Sequence, residues 1–304
     1  MNILVAGGTG FIGNALVHRL LGEGHSVILL SRYPQPVRNV DRSLVQIEQW
    51  DGGTIGPWVD RLENVDGIVN MAGESIGAKR WTEARKALLV TSRVEPTRAL
   101  VSGISMTKRR PAVLVNTSAV GYYGNVESQD VAESHPAGTD FLASLCKQWE
   151  AEAQKAEEYG VRVVRLRFGV VLEKGGGALE RMMLPFRLFV GGPLGSGRQW
   201  FPWVHRDDVI GAIIFSLQNA SISGPANVTA PDQVTMREFC QALGRAMHRP
   251  SWARVPAFVL RLVLGKMAGT VLTGQRVVSN KLADAGYTFR YPKLDEALRA
   301  IVKQ

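Results

Sequence analysis

Three groups of residues in this chain have types and spacing that could do chemistry. The first is "GGTGFIG", with Gly7-x-x-Gly10-x-x-Gly13 placed between an apolar run and a helical pattern. Glycines at that spacing can turn tightly, admit a diphosphate against the backbone, and pack a helix onto a strand. A helix start adds unpaired N–H groups and a favourable dipole, so Thr9, Phe11 and Ile12 join the three glycines as candidate cradle residues. The second group is Ser118, at the end of the apolar run "AVLVNTS", followed by Tyr122 and Tyr123. A hydroxyl and two phenols can pass a proton to or from a reacting oxygen; they can equally be a strand-end hydroxyl tied to backbone and two wall residues with hydrogen-bonded tips. The third is Arg198 with Trp200 in "GGPLGSGRQWFPW". Flexible loop, cation and aromatic face suit an anionic or ring-bearing ligand, or a packed cluster with the arginine stacked on it.

Further residues refine the first group. The second apolar run ends in Ser31 and Arg32, with no acid there to accept from ribose hydroxyls. A guanidinium fork at that place suits a 2′-phosphate, so the expected cofactor is NADP(H). Trp50 and Asp51 end the third run, where an adenine would pack; the indole either stacks there or closes the core. Glu74 follows the fourth run, as a relocated base or as a helix cap. His205 and Asp207 are expected to hold the 191–205 loop rather than to react. Cys146 and Cys240 stand far apart in no C-x-x-C pair, so neither a disulfide framework nor a metal site is expected.

The elements that must place these residues follow from periodicity. Apolar runs at "NILVAG", "SVILLS", "LVQIEQW", "DGIVNMAG", "AVLVNTS" and "VRVVRLRFGVVL" alternate with helical patterns at 11–23, about 80–102 and about 140–159. Strands alternating with helices predict an α/β fold, a Rossmann-type doubly wound parallel sheet. The runs show little polar alternation, as strands covered on both faces require. After about residue 172 glycine- and proline-rich loops separate short elements, and helical spacing returns at 235–247, 256–268 and 293–303. The chain therefore reads as a nucleotide-binding domain over 1–172 and a smaller mixed substrate or partner region over 173–304.

Composition narrows the function. The 304 residues are 45% hydrophobic, ample for a buried core, and no run is long enough to span a membrane. The formal net charge is +9, spread along the chain apart from "KRR" at 108–110, with no nucleic-acid motif. The expected partner is a small molecule, anionic or nucleotide-linked, with neither nucleic acid nor membrane; an oligomer or protein partner stays open. A strand beginning at the first residues and the sparse cysteines fit a cytoplasmic protein.

The chain resembles the extended short-chain dehydrogenase/reductases of the NAD-dependent epimerase/dehydratase superfamily. "GGTGFIG", "NMAG" at 70–73, "SAVGYYG" at 118–124 and "GRQWFPWVHRDDV" at 197–209 carry the likeness. "MAGESI", "LASLCKQWE", "GVVLEKGGGAL" and "GQRVVSNKLADAGYTFRYP" resemble its atypical branch, the epimerase-family proteins with a C-terminal domain of unknown function, here from about residue 250. The resemblance implies that Met71, Ala72 and Gly73 border the adenosine and that Arg93 lies near the cofactor or its phosphates. It implies hydride-transfer chemistry on a nucleotide sugar or other unassigned substrate. It further implies a serine, tyrosine and lysine as catalytic set, falling on Ser118, Ala143 and Lys147. The tyrosine is missing, which leaves Tyr122 or Tyr123 as substitute acid. Two readings stay open: an NADP(H)-dependent epimerase or oxidoreductase, and a catalytically weak or inactive NADP(H)-dependent sensor or scaffold, which the resemblance links to cell division.

Overall fold

A computed structural model describes residues 1–33 and 42–303. The chain opens with β1 (Asn2–Ala6), α1 (Phe11–Gly22), β2 (Ser26–Ser31), β3 (Val45–Gln49) and β4 (Gly67–Asn70). The long α2 (Glu83–Met106) leads to β5 (Val113–Ala119), the short β6 (Val126–Val131), α3 (Phe141–Gln154), β7 (Arg162–Phe168) and β8 (Val170–Leu172). There follow α4 (Gly177–Arg187), β9 (Trp200–Phe201), β10 (Trp203–His205), α5 (Arg206–Gln218), β11 (Gly224–Val228) and β12 (Val234–Thr235). The last elements are α6 (Met236–Met247), α7 (Ala257–Leu264), α8 (Gly269–Leu272), β13 (Gln275–Val277), α9 (Asn280–Asp284) and α10 (Leu294–Lys303).

Seven strands form one sheet in the order β11-β7-β5-β4-β1-β2-β3, and every pairing in it is parallel. Its strands read as continuous apolar runs because both faces are covered. Leu16 and Leu20 of α1 and Val209 and Ile213 of α5 pack on one face. Ala99, Leu100 and Ile104 of α2 and Ala153 of α3 pack on the other. The strand order reverses between β1 and β4, and a ligand crevice is expected outside the carboxyl ends of strands at such a point.

A third core lies beyond the sheet, where Leu179, Met183 and Phe186 of α4 meet Phe239 and Leu243 of α6 and Leu298 and Ile301 of α10. α5 and β11 return to the sheet, so a boundary at 172 cuts through one layer. The segment "SISGPANVT" reads as loop because of its glycine and proline, yet Gly224–Val228 closes the sheet edge. At an edge, proline removes no ladder bond that a neighbour needs.

Candidate functional site

The glycine loop has three distinct positions. Gly7 has φ +80°, and a Cβ there would lie 2.6 Å from the Met71 carbonyl carbon. At Gly13 a Cβ would fall 2.2 Å from the Gly7 oxygen, so only glycine lets α1 approach the turn. Gly10 is different. Its φ is −76°, and the nearest atom to a Cβ would be the Gly7 oxygen at 3.3 Å. The fold itself scarcely needs a glycine at that place, which leaves room on the ligand side. Gly10 is also the N-cap of α1 and offers no side-chain hydrogen bond. The first N–H groups of the helix, around Phe11, Ile12 and Gly13, thus remain available to an anion. Phe11 lies against Gly176 and Gly177, so the loop before α4 packs onto the cradle; Thr9 is exposed beside it.

At the end of β2, Ser31 caps its own turn: its Oγ donates to the Tyr33 carbonyl at 2.9 Å and accepts from the Tyr33 N–H at 3.2 Å. Arg32 is exposed, and its Nη2 lies 3.9 Å from Oε1 of Glu74. Glu74 receives Arg85 Nη1 on its other oxygen at 3.3 Å. Its carboxylate is therefore an anchor between two guanidiniums. Arg93 is buried and donates to the carbonyls of Leu89, at 3.0 Å, and Glu74, at 2.8 Å. Burial pulls its guanidinium down to about 10, against the charge of Glu74 among others. A Cβ on Gly73 would come within 3.0 Å of the Arg93 guanidinium carbon, so that glycine gives the arginine its path. Arg93 thus braces the loop that Met71, Ala72 and Gly73 begin. Trp50 is spent on the core: its ring lies 5.5 Å from that of Trp58 and its indole N–H donates to the Thr54 carbonyl, so no open face is left for adenine.

The residues around Ser118 form a buried network that sequence reasoning did not foresee. The Ser118 hydroxyl donates to Oε1 of Glu150 at 2.7 Å. Glu150 in turn takes Nε and Nη2 of Arg167, each at 2.8 Å. This is a two-pronged pair with both side chains almost wholly covered. Burial alone would weaken Arg167's hold on its proton, but the hydrogen bonds and charge of Glu150 outweigh it and the net shift is upward. Arg167 also donates to the Tyr123 hydroxyl at 2.8 Å, and that hydroxyl donates to Oδ1 of Asn227 at 2.6 Å. Burial pushes the Tyr123 phenol up to about 12, although Arg167 pulls the other way. The guanidinium carbon of Arg167 lies 3.5 Å from the centroid of the Tyr122 ring, which is half-buried.

Helix α3 presents a different face to β5 from the one that the resemblance implied. Cys146 donates to the Ala119 carbonyl at 3.8 Å, Glu150 takes Ser118, and Leu142 packs at Gly121. These three are four residues apart and share one stripe. Lys147 is exposed one position round the helix, and Ala143 is fully buried. The structure does not bring Ser118, Ala143 and Lys147 together. The one-residue offset is about 100° of helix, which a family interval carried across an irregular segment does not resolve. Burial, chiefly, raises the Cys146 thiol to about 12, so it stays neutral near pH 7 and is no nucleophile.

Beyond the sheet, Arg198 is exposed, with its backbone N–H on Ser196 Oγ at 3.2 Å. Trp200 is half-buried under Arg276, whose guanidinium carbon is 5.1 Å from the ring. Nothing draws Arg198 and Trp200 onto a shared point. His205 is wholly buried; its Nδ1 accepts from the Asp207 N–H at 3.0 Å and caps α5. Sequence reasoning also missed Asn70, whose Nδ2 donates to Thr97 Oγ1 at 2.8 Å and Asn116 Oδ1 at 2.7 Å, tying β4 to α2 and β5. Its signal was a polar residue ending an otherwise apolar run. Among the described residues no group of histidines, cysteines and acids could hold a metal.

Comparison with known proteins agrees with this geometry. The model of the NAD dependent epimerase/dehydratase family matches residues 3–228, and a domain of unknown function, DUF1731, matches 255–301. The chain is 41% identical over 308 residues to the chloroplastic epimerase family protein SDR39U1 homolog of Arabidopsis thaliana, covering 100% of this chain and 87% of that protein. It is 39% identical to the Bacillus subtilis epimerase family protein YfhF, covering 99% and 98%. Human epimerase family protein SDR39U1, solved with NADPH, superposes with a TM-score of 0.89 at 36% identity, covering 100% of both chains. With its parallel sheet, glycine turn and uncapped helix start, the chain belongs to the NAD dependent epimerase/dehydratase family.

Proposed function

We propose that this protein binds NADP(H) across the carboxyl end of its sheet and transfers hydride between that cofactor and a small carbonyl or hydroxyl compound. One observation carries the binding half. Around Gly10 a Cβ would meet one atom only, the Gly7 oxygen at 3.3 Å, at an uncapped helix N-terminus, with the exposed guanidinium of Arg32 at the next strand end to take a 2′-phosphate. The human relative solved with NADPH supports the same choice of cofactor. Bound there, the nicotinamide would supply or accept the hydride. The chain's residues would orient it: the helix start and Arg32 hold the phosphates, and Arg93 keeps the loop after β4 in place.

The reaction also needs a proton donor. Ser118 is committed to Glu150, Tyr123 to Asn227, and Lys147 faces solvent. Tyr122 is the remaining phenol at the edge of the site, half-buried beside Arg167. A second reading, an NADP(H)-dependent sensor or scaffold, is favoured by the same commitment of Ser118. The test follows NADPH oxidation and NADP reduction over a panel of carbonyl and hydroxyl compounds, with wild type and Tyr122→Phe. Turnover lost in Tyr122→Phe supports the enzyme with a relocated acid. Turnover unchanged by the substitution removes Tyr122 from the reaction. No turnover in wild type that still binds NADPH leaves the sensor.

A further inference from the structure

Side chains that should be hidden stand in the open on the C-terminal region. Phe189 is 54% exposed, Trp252 68%, Phe258 69% and Leu262 75%. They form one neighbourhood. The Trp252 indole donates to the Phe189 carbonyl at 3.0 Å, and residues 252–255 run along 191–194 into α7. The helix itself, "AFVLRLVL", is apolar all round apart from Arg261, yet only Leu260 is buried. A helix apolar on every side needs an apolar medium on more than one side, which a groove that receives a single stripe does not give. Phe189 is also one of two described non-glycine residues with positive φ, at 61°. A bulky residue in the left-handed region is uncommon, and here its ring stays half open to solvent with the guanidinium carbon of Arg249 4.4 Å from the ring centroid.

Charge says what covers this face. No acid occurs between Glu180 and Asp207, nor between Glu238 and Asp284. Arg249, Arg254 and Arg261 border the apolar tips, and among the described residues none of the three meets a carboxylate. Arg187 and Lys266 are paired, with Glu180 and Glu83. Beside Phe189 lies an open hollow of about 610 Å³ lined by Arg245, His248, Arg249 and Ser251. Arg245 is held by Asp295, but Nε of Arg249 and Oγ of Ser251 are buried without a hydrogen-bond partner. Two unpartnered donors in a basic hollow suit a phosphate. A second copy of the chain docking through the same face would set these arginines against each other.

We infer that this face binds an anionic lipid surface, with the phosphate of a headgroup in the Arg249–Ser251 hollow and Phe189, Trp252 and α7 among the acyl chains. Aromatic and aliphatic tips with a basic border are the physical make-up of an interfacial attachment. The attachment is peripheral: no described helix is long and apolar enough to cross a membrane. It goes beyond the cofactor reading and does not depend on it.

The experiment sediments the full chain with vesicles of phosphatidylcholine alone and of phosphatidylcholine with about one part in three phosphatidylglycerol. At least about tenfold more protein should pellet with the anionic vesicles, and high salt should reduce it. Phe189→Gly, which suits the left-handed backbone, combined with Trp252→Ser and Leu262→Ser should abolish pelleting while circular dichroism stays unchanged. Arg254→Gln with Arg261→Gln, both on the surface, should lower it severalfold even if the apolar variant does not fold. Equal pelleting with both vesicles, or none, overturns the inference. So does inorganic phosphate that binds the hollow while vesicles do not, which would make it a free-anion site. Self-association lost in the apolar variant, with no lipid binding, would assign the face to a second copy.

Discussion

Two arginines decide what the site does at the level of single residues. Arg32 is exposed and held only loosely by Glu74, so it can turn to a 2′-phosphate. Arg32→Ala should remove the preference for NADPH over NADH and cost about 1.5–3 kcal/mol of NADPH binding, while NADH binding stays unchanged. Calorimetric titration of both nucleotides reads this directly. Arg167 is the opposite case, a buried cation that survives through Glu150. Glu150→Gln should lower stability by about 3–5 kcal/mol, because it leaves a buried charge without its counterion; urea unfolding measures it. Ser118→Ala removes a donor to the same carboxylate. It should cost about 1–3 kcal/mol of stability and leave any turnover nearly unchanged. A large fall in kcat with unchanged stability would return Ser118 to the reaction.

Elements explain which of these residues the sequence could reveal. The glycine turn was legible because its spacing sits between a strand run and a helix run, a local pattern. β1, β2, β4, β5 and β7 were legible as continuous apolar runs, and α1, α2, α3 and α6 as helical periods. Glu150 and Arg167 were not, since a polar residue inside a helix or strand reads as solvent-facing until its partner is known. Their pairing joins α3 to β7 across residues that no short window contains. The family interval puts the stripe of α3 one residue out, and β11 reads as loop because an edge strand tolerates Gly224 and Pro225. His205 shows how an element end can be tested. Burial, opposed by Asp207, lowers its imidazole from 6.5 to about 4. The unfolded chain then holds more protons than the folded one between those values. Stability from this residue is present above about pH 6.5 and lost as pH falls to about 4, on the order of 3 kcal/mol. His205→Asn keeps an acceptor for the α5 cap and should flatten that slope in acid unfolding curves; an unchanged slope would exclude His205 as its source.

At the scale of the molecule, the C-terminal region does more than extend the sheet. Gln275 on β13 donates to the Val120 carbonyl at 2.6 Å, and Asn227 reaches the Val278 carbonyl at 2.8 Å. The segment 275–281 thus closes the network around Tyr123 from the far side, and the buried cluster belongs to both parts of the chain. The cradle is built by β1, α1 and the loop after β4, and the network by β5, α3, β7 and the C-terminal return, so different elements hold the two. If the cradle is a working NADP(H) site, a side chain at Gly10 should close it. Gly10 has ordinary φ, and a Cβ there would press only on the Gly7 oxygen at 3.3 Å, which a few tenths of an ångström relieve, so Gly10→Val should keep the fold and fill the place of the diphosphate. Titration with NADPH, with circular dichroism on the same samples, should show wild type binding NADPH at least about tenfold more tightly than NADH, and a folded Gly10→Val binding neither. Wild type that ignores NADPH, or a folded Gly10→Val that binds it as wild type does, would contradict the account.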